Sequence, residues 1–171
     1  VKIRALRTKL LILIILTLSI TVEAWCGEPV ISKGQTVYVP VYSHVVRYLV
    51  ESKVWRSSGK KSNEAPYQLA TNVSIRNTDP RHSITIIKAD YYNTDGSIVK
   101  KFVESPIVVA PMASTYFLVS QSDMSGGSGA NFLIRWESQQ PVNEPILESV
   151  TFGLHGGHNV SFLTKGKTIR E

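Results

Sequence analysis

A chain of 171 residues, 43% apolar and 19% charged, is sized for one domain around one hydrophobic core. Its formal charge of +6 splits evenly, because Lys2, Arg4, Arg7 and Lys9 against Glu23 leave +3 at the amino terminus and the other +3 is spread over the remaining chain. So dilute a charge does not make the dense basic face with interleaved aromatics that marks nucleic-acid binding, and no nucleic-acid partner is expected.

Four basic residues precede the apolar run Leu10 to Val22, which closes on Val22, Glu23 and Ala24. Basic region, apolar stretch and small terminal residue predict a signal peptide over residues 1–24, helical while intact and cleaved after Ala24. The run is shorter than the ~20 residues a membrane-spanning helix needs. Cys26 is the single cysteine, so no intramolecular disulfide is possible. Its position after the apolar run also allows lipidation, although Trp25 stands where such sites carry a small residue.

Residues 25–35 read as a linker, and 36–171 as one domain. From Thr36 to Val46, Val37, Val39 and Val41 alternate with Tyr38 and Tyr42. Pro40 has no N–H to donate, which predicts an edge strand or a bulge. Leu49 to Pro66 loses periodicity and collects Lys53, Arg56, Lys60 and Lys61, as a basic loop does. Tyr67 to Arg76 alternates cleanly, and Asn77, Thr78, Asp79 and Pro80 then turn the chain. Ile84 to Tyr92 is a strand rich in β-branched and aromatic residues, and Asp95–Gly96 make a tight hairpin into Ile98 to Val103. Short pieces follow at Ile107 to Val109 and Thr115 to Val119, and the glycine-rich loop Gln121 to Ala130 feeds a central strand with Phe132, Ile134 and Trp136 on its buried face. Gln139 to Pro145 reads as a turn. In Ile146 to Leu154, Ile146, Val150, Phe152 and Leu154 share one side with Glu148; His155 to Asn159 then turn the chain into Val160 to Leu163. The domain is therefore all-β, with about seven or eight antiparallel strands in a sandwich.

Asn77 closing a strand, the Asp95–Gly96 turn, and Val109, Ala110, Pro111 and Ser114 before the next strand resemble the immunoglobulin-like modules of secreted bacterial proteins. More closely, Gly34 to His44 (GQTVYVPVYSH), Ser74 to Asp79 (SIRNTD), Ser125 to Phe132 (SGGSGANF) and Pro141 to Pro145 (PVNEP) resemble a bacterial domain-of-unknown-function family, number three-one-two-four. The likeness covers nearly all of the chain after the leader. It implies a small exported protein with no known activity and no functional residue to carry over. Leu49 to Pro66 reads as a longer insertion than the family carries.

Chemical motifs are weak. Gly126, Gly127, Ser128, Gly129, Ala130 misses the last glycine of a nucleophile elbow and leads into a strand, where that motif needs a helix. Gly166, Lys167 and Thr168 lack the earlier glycine and following helix of a phosphate-binding loop. His155 and His158, with His44 and His82 elsewhere, fall short of the ligand set of a zinc site, so neither metal nor other cofactor is expected. Asn72–Val73–Ser74 and Asn159–Val160–Ser161 fit the glycosylation pattern, which is chance if the source is bacterial. Alternation of loops in an antiparallel sandwich places the basic loop, Asp95–Gly96, Asp123 to Ala130 and His155 to His158 at one end. Asp95, Asp123, Ser125, Ser128, Asn131, His155 and His158 are the candidate binding residues, because loops on a rigid scaffold carry function.

The expectation is an exported, non-catalytic interaction module in the periplasm or cell envelope, binding an unidentified envelope protein or small ligand. Its membrane contact is limited to the leader or a lipid on Cys26. The rivals are a hydrolase pairing Ser128 with His155 or His158, and a structural subunit joined through the edge strand Thr36 to Val46.

Overall fold

The computed structural model describes residues 31–45, 66–155 and 158–170. The leader, Cys26 and nearly all of the basic stretch lie outside the described residues. In chain order the strands are β1 (Ile31–Pro40), β2 (His44–Val45), β3 (Tyr67–Gln68), β4 (Ala70–Arg76), β5 (Ile84–Tyr92) and β6 (Ile98–Lys101). They continue as β7 (Ile107–Val109), β8 (Ser114–Val119), β9 (Asn131–Asn143), β10 (Ile146–His155), β11 (His158–Lys165) and β12 (Lys167–Ile169). There is no helix among the described residues.

Two antiparallel sheets form the sandwich. One has six strands in the order β12-β1-β9-β5-β6, with β7 also on β5; the other has four, β11-β10-β4-β8; β2 and β3 form a separate ribbon. As the alternation predicts, β9 is central, with Phe132, Ile134 and Trp136 fully buried. Val39 and Tyr91 register opposite Phe132 from either side. Tyr91 stacks on Phe132 at 5.1 Å, Phe102 tilts onto the same ring at 5.1 Å, and Phe117 of the four-stranded sheet reaches it at 6.3 Å. This aromatic cluster joins the two layers, each ring contributing about 1.5–3 kcal/mol through burial.

Several details differ from the sequence reading. Among the described residues there are twelve strands where about seven or eight were expected, partly because Tyr67 to Arg76 breaks at Leu69 into β3 and β4. β1 starts at Ile31, inside the stretch read as linker. Over Thr36 to Tyr38 it lies between β12 and β9 and so is not an edge strand there, which leaves no open edge for partner pairing over those residues. Pro40 is tolerated because β12 pairs only Thr36 to Tyr38, leaving no neighbour there that needs its N–H. β9 also runs on to Asn143 through the expected turn: β5 pairs with it only as far as Glu137, so Pro141 leaves no donor missing on that side.

The orientation of β10 is set by the fold and not by its pattern. Its apolar side, Val150, Phe152 and Leu154, faces outward, while Ser149 and Thr151 are fully buried. The reason is backbone satisfaction. Where the chain leaves β1, the carbonyls of Pro40 and Tyr42 point between the sheets. Ser149 Oγ and Thr164 Oγ1 reach Pro40 O at 2.7 and 2.8 Å. Thr71 Oγ1 donates to Tyr42 O at 3.1 Å and lies 2.9 Å from Thr151 Oγ1. The interior needs hydroxyls along this strand, so its hydrophobic side is turned to the surface.

Candidate functional site

The loops at one end of the sandwich are tied together. Gly96, with φ 80°, closes the β5–β6 hairpin, where Asn93 caps the backbone of Asp95 and Ser97. Thr94 joins this hairpin to the glycine-rich loop: its N–H donates to Gly126 O at 2.8 Å, and its Oγ1 accepts from Gly129 N at 3.0 Å. Buried Ser43 pins the same loop, its N–H donating to Gly127 O at 3.2 Å and its Oγ lying 3.1 Å from that oxygen. His44 Nδ1 lies 3.1 Å from Ser43 Oγ. With the hydroxyl proton given to Gly127, His44 donates from Nδ1 to Ser43 Oγ. Gln68, registered opposite His44, donates to Met124 Sδ at 3.2 Å.

Of the residues singled out in the sequence, Asp95, Asp123, Ser125 and Ser128 therefore lie on loops at this end. Asp123 is engaged locally, accepting from both the backbone N–H and the hydroxyl of Ser125. Asn131 opens β9, registered between Pro40 and Tyr92. His155 and His158 are paired at the hairpin end of β10 and β11. That hairpin is at the same end, because a side chain at Gly153 would meet Leu69 and the carbonyl of Gln68. Under the loop, Tyr91 Oη is buried without a hydrogen-bond partner among the described residues. Burial, and secondarily the charge of Asp123, push its hydroxyl up to about 12. Ser43, His44, Gln68 and Thr94 were missed in the sequence, although Ser43 and His44 close the GQTVYVPVYSH segment.

The opposite end holds a denser polar knot, built to hold structure. Asn77 Nδ2 donates to the carbonyls of His82, Val109 and Ala110 at 2.8–3.2 Å. Asp79 accepts from the N–H groups of Arg81 and His82 on one oxygen and Asn143 on the other. The Arg81 N–H, joined by His82 and Asn143 and opposed by burial, holds its carboxyl at about 2 against an ordinary 3.8. Among the described residues no group of three or more histidine, cysteine, aspartate or glutamate side chains could hold a metal ion. A polar groove of 340 Å³ runs along β1 and β9 beside Lys33, Gln35 and Glu137.

The outer face of the four-stranded sheet is the third feature. Its cross-strand rows are Leu118–Asn72–Val150–Leu163 and Tyr116–Ser74–Glu148–Lys165. Tyr116, Leu118, Val150, Phe152, Leu154 and Leu163 are exposed by 38–66%. The outer face of the six-stranded sheet is instead lined by Lys88, Arg135, Glu137 and Lys167 around Tyr38 and Leu133. The first face is thus mainly apolar on β8, β10 and β11, with Asn72 and Ser74 between, whereas the second is ordinary solvated surface.

A family model described as "Protein of unknown function (DUF3124)" matches residues 34–169. No curated protein matches the chain. Among solved structures, Thermotoga maritima 1070 is similar at 13% identity over 78% of this chain and 92% of that one, with a TM-score of 0.44.

Proposed function

The chain belongs to that family of proteins of unknown function, and from its own surfaces we propose that it is an exported, non-catalytic interaction module of the bacterial cell envelope that binds a protein surface through the outer face of its four-stranded sheet. The observation that carries the reading is the reversal of β10: Ser149 and Thr151 inside, Phe152 at 41% and Leu154 at 66% exposure outside. Exposed apolar side chains on β8, β10 and β11 of one sheet face are unfavourable in water, and a partner that covers them recovers that burial energy. Export rests on the basic-then-apolar leader.

The test is site-specific photocrosslinking from Phe152 and Leu118 in cells, with Lys88 and Arg135 on the other outer face as controls. Crosslinks to a protein from the first pair and not the second support the reading. Equal yields from both faces overturn it. Ser128→Ala separates the hydrolase alternative, because the interaction reading predicts that any hydrolysis measured with the purified protein is unchanged.

A further inference from the structure

We infer that the surface covering this face is a second copy of the same chain, packed face to face about a two-fold axis. This rests on the docking reading above and adds the identity of the partner. The relief of the face is self-complementary. Along β4, Asn72 and Ser74 are short side chains flanked by the larger Tyr116 and Leu118 of β8 and by Val150 of β10. Strands next but one to each other stand about 9–10 Å apart, so this trough accepts one row of side chains. A two-fold axis running along the strands between β10 and β4 lays the β10 ridge of each copy in the β4 trough of the other and β8 against β11, and stacked sheets meet at the usual spacing of about 10 Å.

The area fits. The six exposed apolar side chains offer roughly 700 Å² per copy, close to the ~800 Å² that each partner buries in a standard interface. The charges fit as well. Glu148 is 16% exposed and already bound to Arg76 Nε at 3.2 Å, with Lys165 beside it in register. Covering the face therefore buries no unpaired acid. A heterologous partner would have to supply the matching ridge and trough, whereas a second copy carries them by symmetry.

Sedimentation equilibrium of the full-length chain between about 1 and 100 µM tests this, beside Leu118→Glu and Phe152→Glu, with Leu118→Met as the conservative control. The expected result is a wild-type mass rising towards twice 19.0 kDa. Each glutamate weakens the dimer at least ~100-fold while the methionine keeps it, because a buried unpaired carboxylate costs several kcal/mol. Unchanged thermal midpoints for dilute variants confirm that folding is intact. A wild-type mass of 19.0 kDa at every concentration overturns the inference, as does a dimer indifferent to both glutamates. If the chain is monomeric yet Leu118 crosslinks to a different protein in cells, the second copy falls and the interaction reading stands. A monomer without crosslinks sinks both.

Discussion

Gly126→Ala should be among the most damaging single-methyl additions in the protein. A β-carbon there would lie 1.9 Å from Tyr91 Oη, 2.5 Å from its Cζ and 2.7 Å from the Ala130 methyl. Tyr91 cannot swing away, being fully buried, stacked on Phe132 at 5.1 Å and edge-on to Phe102 at 6.4 Å. Overpacking of this kind costs about 1–3 kcal/mol, or roughly 4 °C in Tm per kcal/mol for a domain this size. Tyr91→Phe removes the nearest atom and a hydroxyl with no partner among the described residues, so alone it should be neutral or stabilising by up to about 1 kcal/mol. Combined with Gly126→Ala it should recover about 1 kcal/mol relative to additivity, and only part of the loss, because Cζ remains in the way. Urea unfolding of the four proteins measures the cycle. It has an alkaline check: the Tyr91 hydroxyl, raised to about 12 from an ordinary 10.0, favours the folded state less as pH climbs through that window. Wild type should lose stability there relative to Tyr91→Phe. An additive cycle, or a Gly126→Ala protein as stable as wild type, would refute the packing argument.

Asp79 is held at about 2 in the folded protein against 3.8 ordinarily, so its stabilisation is complete above about pH 4 and is lost as pH falls towards 2. Asp79→Asn should lower the urea midpoint at neutral pH and flatten its decline over that acid range. Asn77→Ala strips the carbonyls of His82, Val109 and Ala110 of their shared donor and should cost about 3 kcal/mol by chemical denaturation. In the hydroxyl relay, Thr71 gives its proton to Tyr42 O and so receives that of Thr151. Thr71→Val should therefore destabilise by about 2 kcal/mol and Thr151→Val by about 1, an order that denaturation can check.

The strand faces were largely legible in the sequence. Val37, Val39 and Val41, then Tyr67, Leu69, Thr71, Val73 and Ile75, are buried as their two-residue rhythm implies. The same rhythm in β10 identifies its two sides without saying which one is inside. That choice depends on the carbonyl of Pro40, 109 residues from Ser149 in the chain, and local pattern carries no record of it. The Asn77–Asp79 turn was legible as a turn, since such side chains bond nearby backbone. Its reach to Val109, Ala110 and Asn143 was not, because those partners are brought in only by the folded sandwich. Loop clustering followed from strand alternation, and Thr94 with Gly126 shows two of those loops in contact.

The hydrophobic side of β10 faces outward. Thiol labelling of single cysteines placed along β10 in a Cys26→Ser background, in dilute folded protein, tests this placement. Modification should be fast at positions 150, 152 and 154 and strongly blocked at 147 and 151, with the fast sites slowing as protein concentration rises. Protection at 150, 152 and 154 in dilute protein, with fast labelling at 147 and 151, would contradict it.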